Sequence, residues 1–389
     1  MRRFWRTLFL SLCMAVLLLA AYLLLWPVPV RAVAWTAPGD SGYTGVHAAN
    51  QRLAGLQVID LHGEEGPEHI AIGPDGALYA AVLSGKVLRM APDGSGQTVF
   101  ANSGGRVLGF DFERKPDGDW TMIAADAVRG LLRITRQGEV TVLADRVGDS
   151  SIRYADAVVV SSAGKVYLSD ASTRFAPKDW GGTFEASVLD ILEQSATGRI
   201  IEHDLRTGQS RVVAHGLSFA NGVVLSQDEQ QLLVAETGRY RIWRVSTDAS
   251  NLDLASVDLD AKASATPSQA KVLIDSLPGY PDNLMRGRDG RIWVGLTKPR
   301  NPVIDRMAGT PWLREVTLRL PRALWPIPKA YGHVFAFNEQ GQVLLDLQDI
   351  SGRYPETTAV SETPDRLYVQ SLHARGLGWI STSAAGLSR

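Results

Sequence analysis

The fold is decided by a short repeated stretch, which at residues 279–296 reads GYPDNLMRGRDGRIWVGL. It places Asp282 and Asn283 behind a proline and continues through an apolar run, a turn and a second apolar run. A residue that recurs at one place of such a repeat should occupy one place in the fold. Three further stretches carry a polar residue at that place: GPEHIAIGPDGALYAAV (66–82, Glu68), YADAVVVSSAGKVYLSD (154–170, Asp156) and FANGVVLSQDEQQLLVAE (219–236, Asn221).

The chain from about residue 51 onward has the pattern of short β-strands. Val, Ile, Leu, Tyr and Trp alternate with polar residues between turns such as PDG, SAG, RTG and RDG, which is typical of hairpins. Small sheets that cannot bury both faces alone stack radially, so we predict an all-β six-bladed β-propeller over residues 51–389. A pair of β-sandwiches is the weaker alternative, because it leaves the recurring polar residue unexplained. The six copies of the repeat lie at 66–94, 106–138, 154–172, 219–249, 280–298 and 358–382.

The amino-terminal segment differs in kind from the rest. Residues 7–26, TLFLSLCMAVLLLAAYLLLW, carry no charge, and a helix of that length spans about 30 Å, enough to cross a bilayer core. Three arginines, Arg2, Arg3 and Arg6, precede it, so the amino terminus is predicted to stay in the cytoplasm. We therefore predict a single-pass signal-anchor, with the propeller on the extracytoplasmic side of the membrane.

A cleaved signal peptide is the alternative for this segment. Residues 32–34, AVA, offer small side chains at cleavage spacing, but a cleavable apolar core is normally shorter, roughly 7–15 residues. The predicted organisation is a cytoplasmic tail over 1–6, a transmembrane anchor over 7–26, a linker over 27–50 and the propeller over 51–389.

The amino-acid composition argues against several classes of function. The formal net charge is −1, so no basic face points to a nucleic-acid partner. The single cysteine, Cys13, permits neither an internal disulfide nor a metal site built from thiolates. Oxygen ligands and histidines remain for metal chemistry.

The recurring polar residues predict a metal site. The innermost strand of each propeller blade lines the central channel, so Glu68, Asp156, Asn221 and Asp282 should meet at one mouth of it. Three carboxylates and one amide suit Ca²⁺, whereas Zn²⁺ prefers nitrogen and sulfur. Backbone carbonyls, water and Asn283 would complete the shell. The alternative for each residue singly is that it caps a turn.

A series of motifs resembles the strictosidine synthase-like family, and within it the branch of the adipocyte plasma membrane-associated proteins, related to gluconolactonase and paraoxonase propellers. The resemblance implies a six-bladed propeller, a single-pass anchor in this branch and a calcium-type site in the channel. It matches Glu68, Asn221 and Asp282 to metal ligands, while Asp156 stands in place of an asparagine and Ala157 in place of an aspartate. The motifs include GPEHIA, ADAVRGLLRI (125–134), VYLSDASTRF (166–175), LSFANGVVLS (217–226), LPGYPDNL (277–284) and RIWVGLTKPRNP (291–302).

The resemblance also bears on activity. Paraoxonase-like enzymes have a catalytic histidine where this chain has Leu108, and strictosidine synthase has a catalytic glutamate where the apparent match is Thr358, with Glu356 and Glu362 nearby. Asp282 is the candidate general base, by analogy with the lactonases. The leading prediction is therefore a membrane-anchored, calcium-dependent hydrolase of a small-molecule ester or lactone. The alternatives are a non-catalytic binding or scaffold propeller with a structural metal and, more weakly, amine–aldehyde condensation of the strictosidine synthase type.

Further residues are candidates for the metal shell or for substrate contact. His373 could reach the channel mouth, although a buried structural histidine is the simpler alternative. Ser172 could line the pocket or belong to a strand-end turn. Two inserts interrupt the strand pattern: residues 180–198 have helical apolar spacing, and residues 299–332, rich in Leu, Trp and Arg, resemble an interfacial helix or a helix packed over a blade end.

Overall fold

The structure, a computed structural model, describes residues 1–257, 269–329 and 331–387. These residues belong to two compact units of very different size. The smaller, first unit contains Met1–Ala37, Leu192–Ser195 and Asn301–Ile327. The larger, second unit contains Pro38–Ile191, Ala196–Arg300 and Pro328–Arg389.

The second unit is a six-bladed β-propeller, which confirms the predicted fold class. The first strand of the chain is β1 (Gln57–Ile59). Blade 1 contains β2 (His69–Ile72), β3 (Leu78–Ala81), β4 (Lys86–Met90) and β5 (Thr98–Asn102). Blade 2 contains β6 (Val107–Arg114), β7 (Trp120–Asp126), β8 (Gly130–Ile134) and β9 (Val140–Ala144). A hairpin of β10 (Arg146–Val147) and β11 (Ser150–Ser151) follows.

The remaining blades continue in chain order. Blade 3 contains β12 (Ala155–Val160), β13 (Lys165–Asp170), β14 (Gly198–Asp204) and β15 (Ser210–Leu217). Blade 4 begins with β16 (Ala220–Leu225), β17 (Gln231–Glu236) and β18 (Arg241–Ser246); β19 (Leu252–Asp253) then joins the edge of blade 3, and β20 (Ala270–Ile274) completes blade 4. Blade 5 contains β21 (Gly279–Arg286), β22 (Ile292–Pro299), β23 (Gly332–Phe337) and β24 (Val343–Asp349). Blade 6 contains β25 (Thr357–Glu362), β26 (Arg366–Ser371) and β27 (Leu377–Ser381), with β1 as its outer strand.

Blade 6 closes the ring with strands from both ends of the domain. The amino-terminal strand β1 pairs antiparallel with β27, so that Gln57 lies opposite Trp379 and Ile59 opposite Leu377. The pairing covers an edge that would otherwise expose unpaired backbone groups. Neighbouring blades then bury their faces against one another, with Trp243 in the core between blades 3 and 4 and Trp293 in the core between blades 5 and 6.

The innermost strands of five blades share one irregularity. In each, the pairing with the second strand admits one extra residue near the start of the strand, a β-bulge that re-aims a side chain. The bulges therefore repeat at the place where the sequence repeats its polar residue. They lie between Val107 and Gly109, Ala155 and Val158, Ala220 and Val223, Pro281 and Leu284, and Thr357 and Val360.

Glycines let these bulged strands approach closely. A Cβ at Gly109 would lie 2.9 Å from the carbonyl oxygen of Asp156. A Cβ at Gly222 would lie 2.2 Å from the amide nitrogen of Leu284 and 2.5 Å from the carbonyl oxygen of Asp282. Backbone atoms cannot turn aside as a flexible side chain can, so the packing of blade 4 on blade 5 requires glycine at this position.

The first unit contains three helices. The first, α1 (Arg2–Leu25), is long and apolar enough to cross a membrane, with a mean hydropathy of 2.7 in its most apolar window and no buried residue. The helix that follows in chain order, α2 (Thr183–Glu193), is not one of these three, because its residues up to Ile191 belong to the second unit. It lies within the insert for which helical spacing was predicted. The other two helices of the first unit are α3 (Pro302–Arg306) and α4 (Pro311–Arg319). Single turns of 3-10 helix lie at Gly45–His47, Thr237–Arg239, Leu254–Ser256 and Arg322–Leu324.

Gly222→Ala should destabilise the propeller by about 1–3 kcal/mol, because the added methyl group meets the backbone of the next blade. Thermal unfolding of the detergent-solubilised chain, followed by tryptophan fluorescence, measures the loss. Gly55→Ala is the matched control, since its Cβ would meet nothing within 4 Å. Equal melting temperatures for the two variants would contradict the close approach of blades 4 and 5.

Candidate functional site

Three bulges and the residue ahead of β2 bring all four predicted metal ligands into one cavity. Glu68, just ahead of β2, and Asp156, Asn221 and Asp282, in the bulges of β12, β16 and β21, line a space of about 40 Å³. All four side chains are buried. The equivalent positions of blades 2 and 6 hold Leu108 and Thr358. At this position of the innermost strand, four of the six blades therefore present a side-chain oxygen atom to the cavity.

The electrostatics of the cavity favour a cation. Burial, followed by repulsion from Asp282 and Glu68, raises the pKa of Asp156 well above its ordinary value. Burial and the Glu68 charge act in the same direction on the pKa of Asp282. Carboxylates that are buried together resist ionisation unless a positive charge compensates them. A divalent cation would supply that charge and restore the ionised form of each group.

The hydrogen bonding of two amide oxygen atoms bears on whether these residues fit a divalent cation. Among the described residues, Oδ1 of Asn221 and Oδ1 of Asn283 accept no hydrogen bond, although both side chains are buried. Buried polar atoms are normally satisfied, and Asn221 lines the cavity, so its unused oxygen fits a cation ligand. Asn283, predicted to complete the shell, instead lines a different pocket of about 390 Å³. The donor set is composed of oxygen, as Ca²⁺ requires at roughly 2.3–2.6 Å. The residues therefore fit the calcium site that the sequence predicts.

The backbone of Glu68 is held in place by its neighbours. Asn283 Nδ2 donates to the Glu68 carbonyl oxygen at 3.3 Å, and Thr358 Oγ1 donates to the same oxygen at 2.8 Å. Blades 5 and 6 thus fix the residue that blade 1 contributes to the cavity. Thr358 uses its hydroxyl hydrogen in this contact.

An arginine that sequence reasoning missed also enters the cavity. Arg106 Nη2 lies 2.5 Å from Glu68 Oε2, and both side chains are buried. Its Nε and Nη1 atoms contact no hydrogen-bond acceptor in the described part of the chain. Its signal in the sequence was its position two residues before Leu108, at the start of the blade 2 repeat. Arg106 supplies one fixed positive charge, against the three carboxylates of the cavity.

The cavity mouth carries a histidine with an acidic partner. His373 lines the cavity, is 41% exposed and contacts Glu356 Oε2 through Nδ1. Lys298 Nζ lies 2.5 Å from the other oxygen of Glu356. The hydrogen bond to Glu356 raises the pKa of His373, whereas His373 and Lys298 outweigh burial and lower the pKa of Glu356 to about 2. This arrangement orients the imidazole and leaves its Nε2 atom for other contacts.

The helix α2 covers part of the same cavity. Thr183, Phe184 and Ser187 line it, and the Phe184 ring lies 6.0 Å from the ring of His373. Ser172 does not line this cavity: its Oγ atom accepts hydrogen bonds from the backbone amides of Arg174 and Phe175, as in a strand-end turn. The structure thus brings His373 and the four ligand residues together and places Ser172 elsewhere.

A second group of metal-binding side chains lies outside the channel cavity. His47 Nδ1 and His333 Nε2 each lie 2.7 Å from Asp346 Oδ2, at a spacing that could hold a metal ion. Asp346 Oδ1 accepts a hydrogen bond from Asn50 Nδ2 at 3.0 Å. Imidazole nitrogens suit zinc better than calcium. Sequence reasoning missed this cluster, because its members come from distant parts of the chain and no motif joins them.

Glu356→Gln should lower the free energy of unfolding at neutral pH by about 1–3 kcal/mol, since it leaves charged partners unpaired. A carboxyl group with a lowered folded-state pKa stabilises the fold above its unfolded pKa, about 4.3, and loses that effect as the pH falls toward about 2. The difference between wild type and variant should therefore be full at neutral pH and shrink in acid. Denaturant unfolding at several pH values measures it.

The exposed Glu139→Gln variant is the control for this titration. It should unfold like the wild type at every pH, because removing an exposed charge changes stability little. A Glu356→Gln deficit that stays constant from neutral to acid pH would contradict the assigned ionisation of Glu356.

Two family models and a known protein match large parts of this chain. A family model described as "Strictosidine synthase-like, N-terminal" matches residues 45–90, and one described as "Strictosidine synthase" matches residues 156–250. The adipocyte plasma membrane-associated protein of Salmo salar is 30% identical over 334 residues, which cover 79% of this chain and 73% of the relative.

Two solved structures resemble the propeller. A gluconolactonase from Xanthomonas campestris superimposes with a TM-score of 0.54 at 15% identity, covering 91% of this chain and 96% of that one. Regucalcin from Agrobacterium tumefaciens, described as a calcium-binding protein, superimposes with a TM-score of 0.53 at 17% identity, covering 83% and 93%. At these identities the likeness shows the shared fold and no more.

Proposed function

The chain belongs to the strictosidine synthase-like family, and on that premise we propose that it is a calcium-dependent hydrolase of small-molecule esters or lactones. One observation carries the proposal: Glu68, Asp156, Asn221 and Asp282 converge as oxygen donors in a single buried cavity. Two solved structures that share the fold are consistent with this proposal: one is described as a gluconolactonase and the other as a calcium-binding protein.

Each residue of the cavity has a role in this proposal. The four oxygen donors would hold the cation. A bound calcium ion would polarise the scissile carbonyl and stabilise the oxyanion that develops on it. Asp282 is the candidate general base for water. The unused N–H groups of Arg106 would add hydrogen bonds to the same oxyanion.

His373 is a second candidate for the base. Its contact with Glu356 fixes the ring at the mouth of the cavity, and a base must reach the attacking water within hydrogen-bonding distance. Loss of Asp282 should abolish both metal binding and turnover, because Asp282 serves both. Loss of His373 should lower kcat and leave metal binding intact, which separates the two roles.

The test is hydrolysis of aryl esters and lactones by the purified full-length chain in detergent. Turnover should appear with Ca²⁺ and disappear with a chelator. Asp282→Asn should abolish both turnover and calcium binding, whereas His373→Gln should reduce kcat by about 10²-fold or more while calcium binding persists. Asp289→Asn, which alters a carboxylate on an exposed turn, is the matched control and should act as the wild type.

Either of two results would contradict the hydrolase proposal. Turnover that survives both the chelator and Asp282→Asn would remove calcium from the reaction. Complete absence of turnover, with Ca²⁺ raising only the melting temperature, would favour a non-catalytic propeller whose metal joins the blades.

That non-catalytic propeller is the second candidate function, and specific observations favour it. Leu108 occupies the place of the paraoxonase histidine, the cavity measures only about 40 Å³, and Arg106 already pairs with Glu68. Amine–aldehyde condensation is the third candidate. Thr358 offers no acid–base group for it, so joint consumption of an amine and an aldehyde by the pure protein would be needed to support it.

We also propose the membrane topology. The helix α1 fits a single-pass anchor, as expected for a relative of the adipocyte plasma membrane-associated proteins. Because Arg2, Arg3 and Arg6 precede the apolar segment, the amino terminus would lie in the cytoplasm and the propeller outside it. The test uses a chain tagged at the carboxyl terminus in sealed, right-side-out vesicles. External protease should degrade the propeller and remove the tag. A tag that stays protected would show the opposite orientation.

A further inference from the structure

The first unit ties the end of the anchor helix to the 301–327 segment. Arg319, the last residue of α4, donates from Nε to the Trp26 carbonyl oxygen at 2.6 Å and from Nη1 to the Leu23 carbonyl oxygen at 3.2 Å. Tyr22 Oη donates to the Arg319 carbonyl oxygen at 3.1 Å. These bonds satisfy carbonyl groups that the end of a helix leaves without intrahelical partners. The carboxyl-terminal turn of α1 is thereby joined to α4.

A second arginine joins further segments of the first unit to α4. Arg314 is fully buried and donates from Nη1 to the Leu192 carbonyl oxygen at 2.9 Å, and from Nη2 to the Val33 carbonyl oxygen. Val33 in turn donates its amide hydrogen to the Glu193 carbonyl oxygen at 2.8 Å. The residues after α1, the segment 192–195 and α4 are therefore one hydrogen-bonded body.

The position of this body relative to a bilayer follows from the length of α1. A helix of 24 residues spans about 36 Å, slightly more than a hydrocarbon core of about 30 Å. If α1 crosses the membrane, its last turn lies at the membrane–water boundary. Because α4 is bound to that turn, the rest of the 301–327 segment is held near the same boundary.

The exposed side chains of this segment suit that location. Two short helices and a 3-10 turn leave large apolar groups in solvent, where a water-facing surface would carry polar ones. Within Asn301–Ile327 the exposed charged residues are both arginines, whereas Asp305 and Glu315 are only partly exposed. The interfacial surface, as we name it, consists of Val303 (48% exposed), Trp312 (54%), Leu324 (64%) and Ile327 (39%) with Arg306 and Arg322.

We propose that the interfacial surface lies in the headgroup region of the membrane that α1 spans, in direct contact with lipid. Tryptophan prefers the boundary between hydrocarbon and water, and arginine keeps its charge at the level of the lipid phosphates. The two arginines can pair with the phosphate groups of the lipid headgroups. A second copy of the chain or a protein partner would need no such coupling to the last turn of the anchor. This inference rests on the proposed anchor and is independent of the hydrolase proposal.

Lipid quenching of single fluorescent labels tests the inference on the full-length chain. The label is placed on Leu324→Cys in a Cys13→Ser background, and the protein is reconstituted in vesicles of phosphatidylcholine and phosphatidylserine. Lipids with a nitroxide near the headgroup should quench this label about threefold or more strongly than a label on Val99→Cys, an exposed propeller position. Val303→Cys repeats the test, so that a folding defect at one site does not decide it.

The native cysteine separates the two proposals. Cys13 lies in the middle of α1, so a label on it should be quenched by nitroxides deep in the acyl chains. Deep quenching at Cys13, with labels at 303 and 324 quenched no more than at 99, would overturn the interfacial surface and leave the anchor standing. Absence of quenching at Cys13 would overturn the anchor and the interfacial surface together. Coupling between labels of two chains, without quenching by lipid, would assign the surface to a second copy.

Discussion

One extra residue near the start of the innermost strand, present in five of the six blades, determines the rest of the site. In a regular strand, successive side chains point to opposite faces of the blade and pack between blades. The bulge interrupts this alternation and turns one side chain per blade toward the channel. The bulges of blades 3, 4 and 5, with Glu68 in blade 1, thereby collect four oxygen donors that are far apart in the chain.

The same constraint determines the packing around the axis. Bulged strands bring backbone against backbone, and Gly109 and Gly222 are two of the positions where a Cβ would strike the next blade. Collecting carboxylates in a buried cavity also has an electrostatic cost, which appears as the raised pKa values of Asp156 and Asp282. Arg106 offsets only part of that cost, because it is one charge against three. The raised pKa values of these carboxyl groups are the electrostatic reason for proposing a cation in the cavity.

The sequence predicted the features that depend on a repeated local pattern. The polar residue, the apolar run and the turn recur in each blade, so the six-bladed propeller and the convergence of Glu68, Asp156, Asn221 and Asp282 followed from the repeat. Features made by unrepeated residues were not predicted. Arg106 begins the blade 2 copy of the repeat, at a place where the other copies carry no arginine, and the cluster of His47, His333 and Asp346 joins a loop to a distant blade. Ser172 looked suitable in sequence but its hydroxyl group is used by its own turn.

A calorimetric titration of Ca²⁺ into the full-length chain tests the central claim, which is that the bulge residues form a cation site. We predict that one ion binds per chain in the channel and that this binding is lost in Asp156→Asn, where one carboxylate charge is removed without changing the bulge. Asp346→Asn, which alters the histidine cluster outside the channel, should bind calcium as the wild type does. Calcium binding that is unchanged in Asp156→Asn and lost in Asp346→Asn would contradict a cation site in the channel cavity.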